Sequence, residues 1–115
     1  MGRKFVIFLF SLFAFTLISV AANKKFTLVI DPGHGGKDAG ALGAFSKEKD
    51  INLNVALVFG RNVERNCPDV KVIYTRTTDL FIPLKERANI ANKNKADLFI
   101  SVHTNALPGG KQAYG

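Results

Sequence analysis

Three short apolar runs constrain this chain more than any other feature. Phe26-Thr27-Leu28-Val29-Ile30, Val70 to Tyr74 and Leu98 to Val102 are rich in β-branched and aromatic residues, and each is bounded by polar or turn-forming ones. Runs of that length and composition read as strands buried on both faces. Between them lie stretches of helical periodicity. Asp50 is placed to cap a helix from about Ile51 to Arg65, with Ile51, Val55 and Val58 on one face and Leu53, Leu57 and Gly60 widening it. Cys67-Pro68-Asp69 ends that helix. Pro83 suits the first turn of a second one, whose Leu84, Ala88, Ile90 and Ala91 face inward while Lys85, Glu86, Lys93 and Lys95 face water. The order strand, helix, strand, helix, strand predicts an α/β fold, an open, twisted, mostly parallel sheet with helices on both faces.

The first residues stand apart from that pattern. Arg3 and Lys4 precede an apolar run from Phe5 to Val20, and Val20-Ala21-Ala22 supplies small residues before Asn23. This reads as a secretory signal peptide over residues 1–22, cleaved after Ala22, so the mature protein is exported and keeps no stable membrane anchor. Residues 23–115 then form one domain's worth of chain, without repeats or low-complexity stretches. Cys67 is the only cysteine, which leaves no internal disulfide and reads as a half-buried bystander. The net charge of +7 includes Arg3 and Lys4; it favours anionic surfaces such as a cell wall, with Lys47, Lys49, Lys93 and Lys95 as a solvated face. No arginine-rich run or aromatic-basic alternation points to nucleic acid.

The chain has two histidines, and each follows an apolar run. His34 lies in Pro32-Gly33-His34-Gly35-Gly36 after the first strand, and His103 comes directly after the third. In an open parallel sheet, sites gather outside the carboxyl ends of the strands, so two residues distant in sequence meet at one edge. The glycines allow close approach of the backbone to a ligand. A phosphate-binding loop is excluded by spacing, because Asp38 follows Gly36-Lys37 where Ser or Thr is required and Asp31 stands where the first glycine belongs. A dinucleotide fingerprint fails too, since Asp38 takes the place of its third glycine. Two imidazoles and one carboxylate make a three-ligand zinc site that leaves a fourth position open. Glu48, at the end of the loop leaving His34, is the candidate carboxylate; Asp38 and Asp50 compete with it, although capping already accounts for Asp50.

The segments "VIDPGHGGKDAGA", "KEKDINL", "YTRTTDLFIPLKERANIAN" and "ADLFISVHTNA" together resemble the zinc-dependent N-acetylmuramoyl-L-alanine amidases, in that family's order, from about Phe26 to Asn105. The resemblance implies Zn2+ held by His34, Glu48 and His103, and hydrolysis of the amide bond between N-acetylmuramic acid and L-alanine in peptidoglycan, in cell-wall turnover and daughter-cell separation. It implies peptidoglycan as partner, with an activator protein as a further one, and a periplasmic or cell-wall location. Arg76, Asp79, Arg87 and Asn92 match recurring family positions and are expected to hold the loop and second helix together. Asp31 and Asn105 are expected to orient the histidines.

The chain departs from the family pattern at its end. The family's general-base glutamate comes from a motif further toward the C-terminus, and Glu64 and Glu86 on helix surfaces are poor substitutes. The expectation is therefore a chain comprising the N-terminal portion of the catalytic domain, with the general base beyond Gly115 and a further strand near Gln112-Ala113-Tyr114. The competing expectation is a catalytically impaired peptidoglycan-binding module. A zinc peptidase or deacetylase with the same ligands is a further alternative.

Overall fold

A computed structural model describes residues 24–105. The leader expected over residues 1–22 and the segment from Gln112 to Tyr114 lie outside the described residues. Strand β1 (Phe26–Pro32), helix α1 (Glu48–Asn66), strand β2 (Val70–Tyr74), helix α2 (Leu84–Lys93) and strand β3 (Leu98–Val102) follow in the expected order. The strands form one sheet in the order β2-β1-β3, and both pairings are parallel. Its central place explains why β1 carries the best-buried apolar residues, with Val29 and Ile30 at 0% exposure.

β1 runs two residues past its apolar stretch. Asp31 and Pro32 stay in register with Ser101 and Val102 of β3, and the Gly33 N–H donates to the Val102 carbonyl at 2.9 Å. A buried aspartate is tolerated there because Thr75, Ser101 and Arg87 all donate to its carboxylate. Side chains alternate across a strand, so Leu28 and Ile30 face one side of the sheet while Val29 and Asp31 face the other. α1 covers the first side, where Leu28, Ile30 and Ala56 make the core with Val63, Val72, Tyr74 and Ile100 around them. α2 lies on the second side, joined to Asp31 through Arg87.

Both helices turn differently from the hydrophobic pattern. The inward stripe of α1 is Asn52, Ala56 and Gly60, while Val55 and Val58 are exposed. Small residues are needed on that stripe because the sheet comes close; a Cβ at Gly60 would stand 1.9 Å from the Tyr74 hydroxyl oxygen. α1 also begins at Glu48 rather than Ile51, and Asp50 does not cap it. The returning loop does that work instead, since the Glu48 and Lys49 N–H groups donate to the carbonyls of Ala41 and Ala39. In α2 the buried residue is Arg87, and Leu84 and Ala88 are exposed. Lys49, expected on a solvated face, is buried, and Cys67, expected half-buried, is exposed. Among the described residues no helix is long and apolar enough to cross a membrane.

Candidate metal centre

His34 leaves β1 in a left-handed backbone conformation, with φ at 62°, and Gly36 continues it at 57°. Histidine tolerates this region better than most residues, but it still needs holding there. Two guanidinium groups do the holding. The Pro32 carbonyl accepts from Arg76 Nε at 3.0 Å and Arg87 Nη1 at 2.6 Å, the Gly33 carbonyl from Arg76 Nη2 at 2.9 Å, and the His34 carbonyl from Arg87 Nη2 at 2.7 Å. Further along, Lys49 Nζ donates to the Gly36 carbonyl at 3.0 Å and to Asp79 at 2.8 Å, while Asp79 accepts the Gly36 N–H at 2.7 Å. The structural roles expected of Arg76, Asp79 and Arg87 correspond to these contacts.

The loop so fixed brings three side chains together. The ligand atoms of His34, Glu48 and His103 lie within 4.8 Å of one another. Glu48 Oε2 is 3.2 Å from His34 Nε2 and 3.1 Å from His103 Nδ1. The two rings meet edge to face, with centroids 5.0 Å apart and planes at 88°. Glycines make the room, because a Cβ at Gly40 would stand 2.7 Å from His34 Cδ2 and 2.8 Å from Glu48 Oε1. Asp50 is exposed on the first turn of α1 and is not one of the three.

Glu48 is held as an anion. Burial works to raise its pKa, but hydrogen bonds from the Ala41 N–H, the Asn52 amide, the Thr104 N–H and the His103 ring overcome this and bring it to about 2. Asn52, fully buried one helical turn beyond Glu48, donates to both Glu48 and the Gly33 carbonyl and accepts from the Thr104 hydroxyl. The four-residue spacing on one helix face is the only sequence signal for that role. Asp31 is kept below its ordinary pKa, because bonds from Thr75, Arg87 and Ser101 outweigh its burial. Its carboxylate is hydrogen-bonded to Thr75, Arg87 and Ser101 and to neither histidine. The imidazole partner is Asp38, which accepts from His34 Nδ1 at 2.8 Å. A cleft of about 320 Å3 opens beside the imidazoles, walled by Phe81, Ile82 and Leu84.

This donor set suits zinc. Nitrogen and oxygen ligands about 2.0–2.2 Å from a tetrahedral ion stand roughly 3.4 Å apart, near the two Glu48–histidine distances. Two imidazoles with one carboxylate are also a ligand set that zinc hydrolases use.

Residues 28–115 match the family described as N-acetylmuramoyl-L-alanine amidase. The chain belongs to this amidase family. It is 38% identical over 97 residues to the amidase AmiC of Escherichia coli O6:H1, a match that spans 80% of this chain and 23% of AmiC. A solved N-acetylmuramoyl-L-alanine amidase from Clostridium difficile 630 superposes with a TM-score of 0.75 at 40% identity, over 80% of this chain and 50% of that one. The CwlD amidase from Clostridioides difficile, solved in complex with the GerS lipoprotein, gives 0.58 at 32% identity, over 76% of this chain and 52% of that one. The chain thus spans about a quarter of AmiC and about half of each solved structure.

Proposed function

We propose that this chain forms the metal-binding part of a zinc amidase that hydrolyses the bond between N-acetylmuramic acid and L-alanine in peptidoglycan. The observation that carries this reading is the meeting of His34, Glu48 and His103 at the carboxyl ends of β1 and β3, in a member of this amidase family. His34, Glu48 and His103 would hold the zinc, which would supply a water acidic enough to attack at neutral pH and a Lewis acid for the scissile carbonyl. Glu48 contributes a permanent negative charge, and His34 and His103 contribute neutral nitrogen ligands. The cleft beside Phe81 and Ile82 receives the substrate.

Neither neighbouring carboxylate is free to carry the proton of the attacking water. Asp31 is engaged by Thr75, Arg87 and Ser101, and Asp38 by His34 and the Gly40 N–H. The family resemblance implies instead a general-base glutamate further toward the C-terminus than the described residues. A positioned base contributes about two to four orders of magnitude in rate. The reading includes export to the periplasm or cell wall, a part in daughter-cell separation, and control by an activator protein, in line with the lipoprotein complex of the CwlD relative.

The test uses the full-length protein. It is expected to bind one zinc per chain and to release stem peptide with a free N-terminal alanine from soluble muramoyl peptides, with loss of release after chelation. Zinc binding without release would reject hydrolysis in favour of a peptidoglycan-binding role. Release of acetate or of shorter peptides would assign a deacetylase or peptidase instead.

A further inference from the structure

We propose that Asp38 is the positioning residue of His34, fixing the imidazole proton on Nδ1 and so turning the Nε2 lone pair toward the point shared with Glu48 and His103. The inference rests on the zinc reading above and adds to it a residue outside the three ligands.

Geometry carries it. Asp38 Oδ2 accepts from His34 Nδ1 at 2.8 Å, and the opposite ring nitrogen, Nε2, is the one 3.2 Å from Glu48 Oε2. The carboxylate is itself anchored. Its Oδ1 accepts the Gly40 N–H at 3.1 Å, and its backbone exchanges two hydrogen bonds with Gly35, at 2.8 and 3.1 Å. The Gly35–Asp38 bridge thereby closes a tight turn directly after His34, whose own carbonyl is held by Arg87. Backbone and ring of the same histidine are fixed from two sides.

His103 has no such partner among the described residues. Its Nδ1 faces Glu48 directly at 3.1 Å, and its side chain is 40% exposed. The centre is therefore asymmetric, because His34 has a carboxylate on the ring nitrogen away from Glu48 and His103 has none among the described residues. Which imidazole nitrogen is protonated is decided by the hydrogen bond the other one makes, and an imidazole left to water prefers the proton on Nε2. Without Asp38 nothing on the Nδ1 side would oppose that preference, and Glu48 beside Nε2 would add to it. Asp38 itself is 45% exposed in its side chain and supports no core packing, so its role separates from folding.

The experiment uses full-length protein freed of metal. Long-range 1H–15N spectra read the His34 tautomer, and chelator competition reads the zinc Kd. Wild type is expected to hold the His34 proton on Nδ1. Asp38→Ala is expected to move it to Nε2 and to weaken zinc binding by about 10–100-fold, the usual effect of removing a partner that orients a metal ligand. Asp38→Asn keeps one acceptor oxygen for His34 Nδ1 and loses the one that holds the Gly40 N–H, so it should restore part of the affinity and the Nδ1 tautomer. A wild-type proton on Nε2, or an Asp38→Ala Kd within about twofold of wild type, overturns the proposal. If wild type itself binds no zinc, the reading of the metal centre fails instead.

Discussion

The imidazole of His103 lies so close over Gly33 that a Cβ there would stand 2.3 Å from the ring Cε1. The residue before the first histidine thus makes room for the second. Gly33 does not have a left-handed backbone, so alanine meets no conformational barrier and acts on the ring alone. Gly33→Ala is expected to push His103 aside and weaken zinc binding by at least about tenfold, the lower range for disturbing a ligand's surroundings. Chelator competition reads the affinity, and unchanged far-ultraviolet circular dichroism would locate the damage in the site.

Metal should stabilise the protein by mass action. At a free zinc concentration about 100 times the Kd, the gain is about 2.7 kcal/mol. Because the His103 side chain is 40% exposed, His103→Ala is expected to abolish the zinc-dependent rise in Tm while leaving the chelated protein close to wild type. Differential scanning calorimetry with and without zinc makes the comparison; an equal rise in both proteins would refute it.

The ion pair between Asp31 and Arg87 is buried on both sides, with side chains 6% and 5% exposed. Breaking such a pair from one side costs about 3–5 kcal/mol. Asp31→Asn should therefore destabilise strongly in urea at neutral pH. The Asp31 pKa is lowered from 3.8, so unfolding takes up a proton only below that value. Its contribution is fully present above pH 3.8 and fades as pH falls through the depressed folded value, so the gap between wild type and Asp31→Asn should narrow in that acid range.

Gly60 is a packing glycine. Alanine is favoured in a helix interior by about 1 kcal/mol, but a Cβ here collides with the Tyr74 ring, and overpacking costs about 1–3 kcal/mol. The collision should win. Gly60→Ala is expected to be destabilising, and Tyr74→Phe, which removes the nearest atom, should recover part of the loss in a double-mutant cycle. Additive effects would count against the contact.

The alternation of strands and helices was legible because β-branched runs and amphipathic stretches are strong, local signals. The meeting of His34 and His103 was legible from topology alone, since parallel strands deliver their carboxyl ends to one edge. Other features depend on tertiary contacts that no local pattern carries. The inward face of α1 uses Asn52, Ala56 and Gly60, which hydropathy ranks below the outward Val55 and Val58. Lys49 looks like a surface lysine until Asp79 and the Gly36 carbonyl close around it. Asp38 and Asp31 each stand near His34 in sequence, and only the path of the loop decides which of them reaches its ring.

Arg76 and Arg87 come from separate segments, yet both end on the carbonyls of one short turn. Grafting the Pro-Gly-His-Gly-Gly peptide onto a foreign sheet would therefore transfer the ligand and abandon its mould. A transplant that kept its shape would have to bring both guanidinium groups, and with them much of the surrounding architecture.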